Sequence, residues 1–288
     1  MQFLQWLLPS RGHFKTVSDQ AGDLAGFSRL VKTLKSSGEE GTSQCFIPGE
    51  WCQGRTAYGG LTAGLSLEVA RTAFPQLPPL RSATINFIGP VGPEPVFIPK
   101  LLRKGKNVTS IQVEVYTDEK MVGSSVFIFG AARESHINVA LDGPEAASPD
   151  EVEDFVPEQF LSMLPVFFQN FQTQLIEGAR PLSGSDEGYI RAWSRHKDVM
   201  SRQGEASFLA LADVLPPAAM PMFKKIGPVS SVNWMLNIIN EPITQDGWYQ
   251  IESRQAAANN GYSSQGMRFW NRDGTLIADG MQCVAIFI

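Results

Sequence analysis

The chain has 288 residues, of which 43% are hydrophobic and 18% charged, and its formal net charge is −5. That length accommodates one large domain or two domains of about 130 residues each. The acidic balance, with a pI near 5.3, argues against nucleic acid as the main partner, because binding phosphates normally requires a basic surface. No apolar run approaches about 18 residues, so we expect no transmembrane helix.

Cysteine and histidine are scarce, with three of each at Cys45, Cys52, Cys283, His13, His136 and His196. They form no CxxC pattern and no Cys/His cluster, which is typical of a reducing compartment. We therefore expect a cytoplasmic protein that holds neither a metal nor another cofactor.

Residues 1–26 give the weakest structural prediction in the chain. The start, Met1–Pro9, is apolar but short, and it lacks a basic n-region and a small-residue cleavage site. A secretory signal is therefore not expected.

The first recognisable unit begins with a helix predicted from about Tyr58 to about Phe74. Small and apolar residues occupy nearly all of its faces, which is typical of a buried helix. A strand at Ser82–Phe87 follows. After a second strand comes a hairpin of Ser110–Tyr116 and Val122–Phe129, with a turn at 118–120.

The segment 142–158 separates this unit from the next. It carries seven acidic residues and three prolines. Such a composition predicts a linker on the outside of the molecule, with a short surface helix possible from Pro149 onward.

The same order of elements recurs in the second half. A helix is predicted from Ala206 to about Met220, and a strand at Ser230–Met235 follows. The closing hairpin pairs Gln265–Trp270 with Leu276–Ile286 around a turn containing Asp273-Gly274, a strong hairpin signal. Two matching units indicate a duplication.

An antiparallel sheet curled around one buried helix is the hotdog fold. We therefore predict an α+β double hotdog, with two antiparallel sheets that are each wrapped around a central helix. The predicted domains are an N-terminal hotdog at 1–141, an acidic linker at 142–158 and a C-terminal hotdog at 159–288.

Asp213 is the most informative candidate for chemistry, because apolar residues flank it on every side of the second predicted helix. Burying an ionised carboxylate costs several kcal/mol unless it is hydrogen-bonded. The alternative is that this helix face reaches solvent or that Asp213 caps a neighbouring strand.

Two further polar residues lie in predicted strands. Strand alternation places Gln282 on one face with Val284 and Ile286, where a primary amide needs a polar partner. Strict alternation groups Ser231 with Asn233 and leaves open which face points inward. Taken alone, Ser231 could be purely structural.

This arrangement resembles the acyl-CoA thioesterase II (TesB-like) family of double-hotdog enzymes, over about residues 27 to 288. The family's Asp, hydroxyl residue and Gln match Asp213, Ser231 and Gln282. They lie in Leu211-Ala-Asp-Val-Leu215, Val229-Ser-Ser-Val-Asn233 and Asp279-Gly-Met-Gln282. The stretch Tyr58-Gly-Gly-Leu-Thr-Ala-Gly64 is similar to the family's glycine-led first helix.

The sequence also departs from the family pattern. Ser231 replaces the commoner Thr, and Leu61 stands where a Gln commonly follows the two glycines. Asn233 and Trp234 occupy positions at which the family often has an acidic residue and a His. These differences bear on substrate range more than on reaction type.

The resemblance implies hydrolysis of an acyl-CoA thioester by direct attack of water. Asp213 would act as general base, while Ser231 and Gln282 would orient the water. Backbone N–H groups at Gly59 and Gly60 are candidates for binding the oxyanion, although a tight turn and close packing explain these glycines equally well.

The first unit lacks an equivalent polar set. Aligning the two units places Leu65, Ala83 and Phe127 opposite Asp213, Ser231 and Gln282, so we expect one site per chain. An acyl tunnel lined by Phe87, Phe127, Trp234 and Met235 is expected. Candidates for contacts with the CoA phosphates are Arg81, Arg103, Lys104, Lys106, Arg254 and Arg268.

Two other functions remain open at this stage. One is a hotdog hydratase or dehydratase, which would require a catalytic His beside the carboxylate. The other is a non-catalytic, acyl-thioester-binding scaffold. Because hotdog sheet edges commonly pair between subunits, we also expect a homodimer.

Overall fold

The computed structural model describes residues 26–37, 41–139 and 141–288. The prediction for residues 1–26 therefore lies outside the described part of the chain, apart from Gly26, and so does His13. Among the described residues, no helix has the length and apolar character needed to cross a membrane.

Among the described residues up to 139, the first half contains two α-helices and eight strands. The helices are α1 (Phe27–Val31) and α2 (Gly59–Ala73). Four strands are two-residue pairings: β1 (Lys35–Ser36), β2 (Ser43–Gln44), β3 (Cys52–Gln53) and β4 (Thr56–Ala57). The long strands are β5 (Leu80–Phe87), β6 (Val96–Lys104), β7 (Val108–Thr117) and β8 (Lys120–Gly130).

The second half contains one helix and six strands. In chain order these are β9 (Phe171–Gly178), β10 (Tyr189–His196), α3 (Glu205–Ala212), β11 (Val229–Ile238), β12 (Tyr249–Asn259), β13 (Tyr262–Asn271) and β14 (Leu276–Ile286). The order helix, strand, strand, hairpin thus occurs twice, as α2-β5-β6-β7-β8 and as α3-β11-β12-β13-β14. The predicted duplication is confirmed.

Local sequence accounts for the tight hairpins. Asp118 and Glu119 both adopt positive φ between β7 and β8, and Asn260 and Gly261 do so between β12 and β13. Two consecutive left-handed residues form the turn whose twist matches that of antiparallel strands, and Asn-Gly favours it strongly.

The two halves share one antiparallel sheet of twelve strands, in the order β1-β2-β6-β7-β8-β5-β11-β14-β13-β12-β10-β9. The halves meet where β5 pairs with β11, from Asn86 opposite Asn233 to Ser82 opposite Asn237. We call this pairing the central seam. The two predicted hotdog sheets are therefore joined edge to edge.

The two central helices cross antiparallel and touch through backbone. A Cβ added at Gly60 would lie 2.6 Å from the carbonyl oxygen of Ala210, and one at Gly64 would lie 2.7 Å from that of Ala206. Glycine at these positions allows the helices to approach more closely than side chains would permit. This packing brings the N-terminus of α2 next to the C-terminus of α3.

Helix α3 ends at Ala212, well before the predicted end near Met220. The prediction was wrong because it continued the helix through prolines. Pro216 has no N–H to donate to the carbonyl of Ala212, and its ring would clash with that carbonyl. Asp213 is consequently the C-terminal capping residue of α3 rather than a residue inside the helix.

The acidic segment 142–158 lies along the outer face of the second half. Arg191 donates to the carbonyl of Glu145 at 3.1 Å, and the Trp193 indole N–H donates to that of Ala147 at 2.9 Å. A single 3-10 turn at Pro149–Glu151 corresponds to the predicted short surface helix. The segment is thus held against the sheet.

Candidate active site

A cavity of about 450 Å³ opens where the two halves meet. The first half contributes the N-terminus of α2 and residues that flank it, and the second half contributes parts of β11 and β14. All three predicted catalytic residues line this cavity, together with Gly59. The sequence positions are far apart, and the central seam brings them together.

Asp213 is half-buried and faces the cavity. Its Oδ1 accepts a hydrogen bond from Gln282 Nε2 at 3.0 Å. Desolvation raises the pKa of this carboxyl from 3.8 to about 7, against the lowering effect of hydrogen bonds from Gln282 and from the Gly60 backbone N–H. Near neutral pH, Asp213 can therefore both accept and release a proton.

The N-terminus of α2 lies against this carboxylate. The Gly60 N–H is bonded to Asp213, which differs from the predicted role of Gly60 as an oxyanion donor. Gly59 is the first helical residue and lines the cavity. The N–H groups of the first helical turn have no partner within the helix, and they favour negative charge nearby.

Space around the carboxylate explains why residue 59 is a glycine. A Cβ at Gly59 would lie 2.8 Å from Asp213 Oδ2 and 2.9 Å from Cε1 of Phe87. Both distances are shorter than real Cβ contacts, so a side chain would push the carboxylate or the ring aside. Gly59 is thus both closely packed and exposed to the cavity.

Gln282 sits directly opposite Gln265 on the neighbouring strand β13. Gln265 Nε2 donates to Gln282 Oε1 at 2.9 Å, and Gln265 Oε1 accepts from the Ala218 N–H at 2.7 Å. A polar partner was expected for Gln282, and the structure shows two, Asp213 and Gln265. Gln265 was missed as a site residue, although alternation from Met267 and Phe269 would have placed it on the buried face.

A β-bulge corrects the predicted grouping of Ser231. Ser231 pairs with Val284 and Asn233 with Cys283, which leaves Val232 as the extra residue. Since paired residues share a face, Ser231 lies on the inner face with Val284 and Gln282, opposite to the face of Asn233. No hydrogen bond joins the described side chains of Ser231 and Asp213 or Gln282.

The hydroxyl of Tyr58 is a further polar group close to the site. The ring stacks on Phe167 with centroids 4.0 Å apart, and the residue is only 1% exposed. Among the described residues, its hydroxyl has no hydrogen-bond partner. Burial, and then the charge of Asp213, raise its pKa well above its usual range, so Tyr58 stays neutral.

Arg55 is the one Lys or Arg side chain among the described residues that line the cavity. It is exposed and lies in the turn between β3 and β4. No sequence pattern singled it out. None of the six basic residues proposed from the sequence lines the cavity: Arg81, Arg103, Lys104, Lys106, Arg254 and Arg268.

The expected acyl tunnel is only partly supported. Phe87 lines the cavity, together with apolar residues such as Val91, Leu215 and Val229. Phe127 and Trp234 are fully buried core residues instead.

Comparison with known families decides the relationship. Residues 47–130 match the family described as the acyl-CoA thioesterase N-terminal domain, and residues 142–286 match the acyl-CoA thioesterase C-terminal domain. The chain belongs to the acyl-CoA thioesterase family. The predicted family resemblance is confirmed. No curated protein matches.

Solved structures share the fold of this acyl-CoA thioesterase family member. A hot dog fold protein of unknown function from Alicyclobacillus acidocaldarius is 21% identical with a TM-score of 0.81, over 91% of this chain and 98% of the other. An acyl-CoA thioesterase II TesB2 from Mycobacterium marinum is 16% identical with a TM-score of 0.69, over 90% and 97%. A tesB protein from Mycobacterium avium subsp. paratuberculosis is 15% identical with a TM-score of 0.72, over 91% and 99%. The predicted double-hotdog fold is confirmed.

The thioesterase duplication extends to the bulges. The central seam is symmetric about the pair Met235–Thr84, and this symmetry relates the bulge at Val232 to the one at Arg81. It makes Phe127 the counterpart of Gln282, as predicted, and Leu80 the counterpart of Ser231 in place of Ala83.

The counterpart of Asp213 is corrected as well. The helix crossing relates Gly60 to Ala206, which makes Leu67 the counterpart of Asp213 instead of Leu65. Leu67, like Leu80 and Phe127, is buried and apolar.

In the first half, an ion pair occupies the position that corresponds by the internal symmetry to the candidate site. Glu205, the first residue of α3, accepts the Leu80 N–H at 2.7 Å and Arg71 Nε at 2.8 Å. The Leu80 N–H is therefore satisfied internally. Within the described residues, no group of three or more His, Cys, Asp or Glu could hold a metal ion.

Proposed function

We propose that the protein hydrolyses acyl-CoA thioesters to the free acid and CoA by direct attack of a water molecule. One observation carries the proposal. The Asp213 carboxyl has a pKa raised to about 7, is held by Gln282 and the N-terminus of α2, and faces a cavity that Ser231 also lines. A titratable group with a perturbed pKa in a cleft is a candidate general base.

In the proposed reaction, ionised Asp213 takes a proton from water as the water oxygen bonds to the thioester carbonyl carbon. The carbonyl π electrons move to oxygen and give a tetrahedral oxyanion. Collapse of this intermediate breaks the C–S bond, and the leaving CoA thiolate takes up the proton that Asp213 received from water, which returns Asp213 to its ionised form. General base catalysis of this kind contributes about 100- to 10,000-fold to the rate.

The remaining residues have distinct proposed roles. Ser231 and Gln282 orient the water from the inner face of the sheet, and the cavity that they line together with Asp213 provides space for that water. The Gly59 N–H is proposed to stabilise the oxyanion, since the N–H of Gly60 is bonded to Asp213.

Recognition of the CoA part is proposed to involve Arg55. Among the residues that the structure describes, it is the one Lys or Arg that lines the cavity, and a guanidinium can bind phosphate oxygens through two N–H groups at once. A cytoplasmic location, a role in fatty acid metabolism and a homodimer stay predictions.

A hydratase or dehydratase is less well supported. His196 is buried, does not line the cavity, and its Nε2 lies 2.8 Å from the carbonyl oxygen of Ser207. Burial lowers the pKa of His196 to about 4. It is therefore a neutral, structurally committed side chain and not a partner for Asp213.

The test is turnover by the purified protein. We expect release of free CoA from acyl-CoAs, measured with a thiol reagent across short, medium, long and aromatic acyl groups. Asp213→Asn should abolish turnover while retaining the fold, and no acyl-enzyme should accumulate in single-turnover experiments. Stoichiometric acyl-CoA binding without turnover by the wild type would contradict hydrolysis and support the scaffold alternative.

A further inference from the structure

Two adjacent glutamine side chains lie in the interior behind the candidate general base. Gln265 is 1% exposed and Gln282 is 4% exposed, and they face each other across β13 and β14. A buried primary amide must satisfy both its oxygen and its NH2 group, and either end could point either way. Something must therefore select the orientation of each amide.

The orientation is set by a group that can only donate. The Ala218 backbone N–H lies 2.7 Å from Gln265 Oε1, so the Gln265 oxygen must point toward it. The Gln265 NH2 group then points at Gln282 and donates to Oε1 at 2.9 Å. This leaves the Gln282 NH2 group facing Asp213, where it donates at 3.0 Å.

These hydrogen bonds form a closed loop. Ala218 lies in the segment that follows α3, five residues after Asp213. The hydrogen bonds thus run from the segment that carries the carboxylate, through Gln265 and Gln282, back to the carboxylate. We propose that Gln265 is a positioning residue that fixes the amide of Gln282 and thereby the hydrogen bond that Asp213 receives.

This inference rests on the proposed function only for its effect on turnover. Gln265 does not line the cavity, so it acts through Gln282 and not on substrate. Because the Gln282 hydrogen bond lowers the Asp213 pKa, weakening it should raise that pKa further. A residue that only filled space would leave the pKa unchanged.

The experiment follows the Asp213 carboxyl carbon by NMR as a function of pH. In Gln265→Met, which keeps the volume but removes the amide, we expect the Asp213 pKa to rise by about half a unit or more. In Gln265→Glu, a carboxylate would attract the Gln282 NH2 group and turn its oxygen toward Asp213. The rise should then be about one unit or more, the size expected for losing one hydrogen bond to a charged acceptor.

Two controls separate positioning from the general effect of altering a buried polar residue. Ser263→Ala alters a buried polar residue on the same face of β13 and should leave the Asp213 pKa unchanged. Gln265→Met introduced into Gln282→Met should produce no further shift, because the two residues act in series. Melting temperatures of all variants report on folding.

The outcomes distinguish this inference from the proposed function. The acidic limb of kcat/KM should move with the NMR pKa in each variant. A pKa shift in a protein that hydrolyses no acyl-CoA would retain the role of Gln265 and contradict the proposed function. Equal Asp213 pKa values in wild type and Gln265→Met, or an undiminished shift in the Gln282→Met background, would overturn the inference.

Discussion

Replacing Asp213 by Asn should make the protein more stable at neutral pH while abolishing turnover. The wild-type carboxyl has a pKa of about 7 in place of 3.8, so the folded state holds a proton that the unfolded chain releases between about pH 4 and pH 7. Stability therefore falls as pH rises through that window. The asparagine carries no charge and lacks this dependence.

The size of this effect on the free energy of unfolding follows from the shift in the Asp213 pKa. Full ionisation of Asp213 costs about 4 kcal/mol at high pH, and the part that accumulates between about pH 5 and about pH 8 is about 2–3 kcal/mol. Asn places an NH2 group where the carboxylate has its second acceptor oxygen, next to the donors Gln282 and the Gly60 N–H, and this mismatch costs about 1–3 kcal/mol at every pH. The mismatch cost cancels when two pH values are compared. The pH dependence of the stability difference between Asp213→Asn and wild type therefore reports on ionisation more directly than the difference at any one pH.

Urea denaturation of both proteins at about pH 5 and about pH 8 measures this change. We expect the unfolding free energy of Asp213→Asn, relative to wild type, to increase by about 2–3 kcal/mol across the interval. Asp198→Asn is the matched control. Burial raises the Asp198 pKa, but hydrogen bonds from Ser201, Ser28 and the Met200 N–H outweigh burial and lower it, so its difference should be flat in this range. A flat difference for Asp213→Asn would refute the desolvated carboxylate.

Three other predictions concern catalysis. The wild-type kcat/KM should rise with pH with a midpoint near 7, the pKa of Asp213, and a limb near pH 4 in initial-rate profiles would contradict its role as base. Gly59→Ala should lower kcat about 10- to 100-fold because its Cβ would displace the carboxylate or Phe87. Gly49→Ala is the control, since nothing lies within 4 Å of its Cβ, and equal rates for the two variants would count against the steric argument. Arg55→Ala should raise the KM for acyl-CoA about 10-fold, the loss expected for one charge-assisted contact, and leave the KM for the matching acyl-pantetheine unchanged. Equal effects on both substrates would argue against phosphate binding.

Sequence patterns predicted the fold well because it repeats. The second copy of each element supports the first, and the predicted limits of α2, near Tyr58 and Phe74, agree with Gly59–Ala73. The end of α3 was predicted poorly because apolar composition continued past the prolines that terminate the helix. Weighting Pro216 over composition would have placed Asp213 at the helix end.

The site was predicted less completely, and the misses have physical causes. Asp213 and Gln282 stand out because polar residues are rare in apolar elements. Ser231 was wrongly grouped with Asn233 because a bulge inserts one residue and inverts alternation beyond it. Arg55 carries no pattern of its own, since only tertiary packing brings a surface turn to the cavity.

The central seam has a consequence for how this molecule can be divided. The carboxylate belongs to one half and the helix terminus that binds it belongs to the other, so neither half contains the complete candidate site. If the proposed function is correct, a chain cut within residues 142–158 should yield two fragments that each lack thioesterase activity. Restored hydrolysis on mixing them would then report directly that β5 had found β11 again.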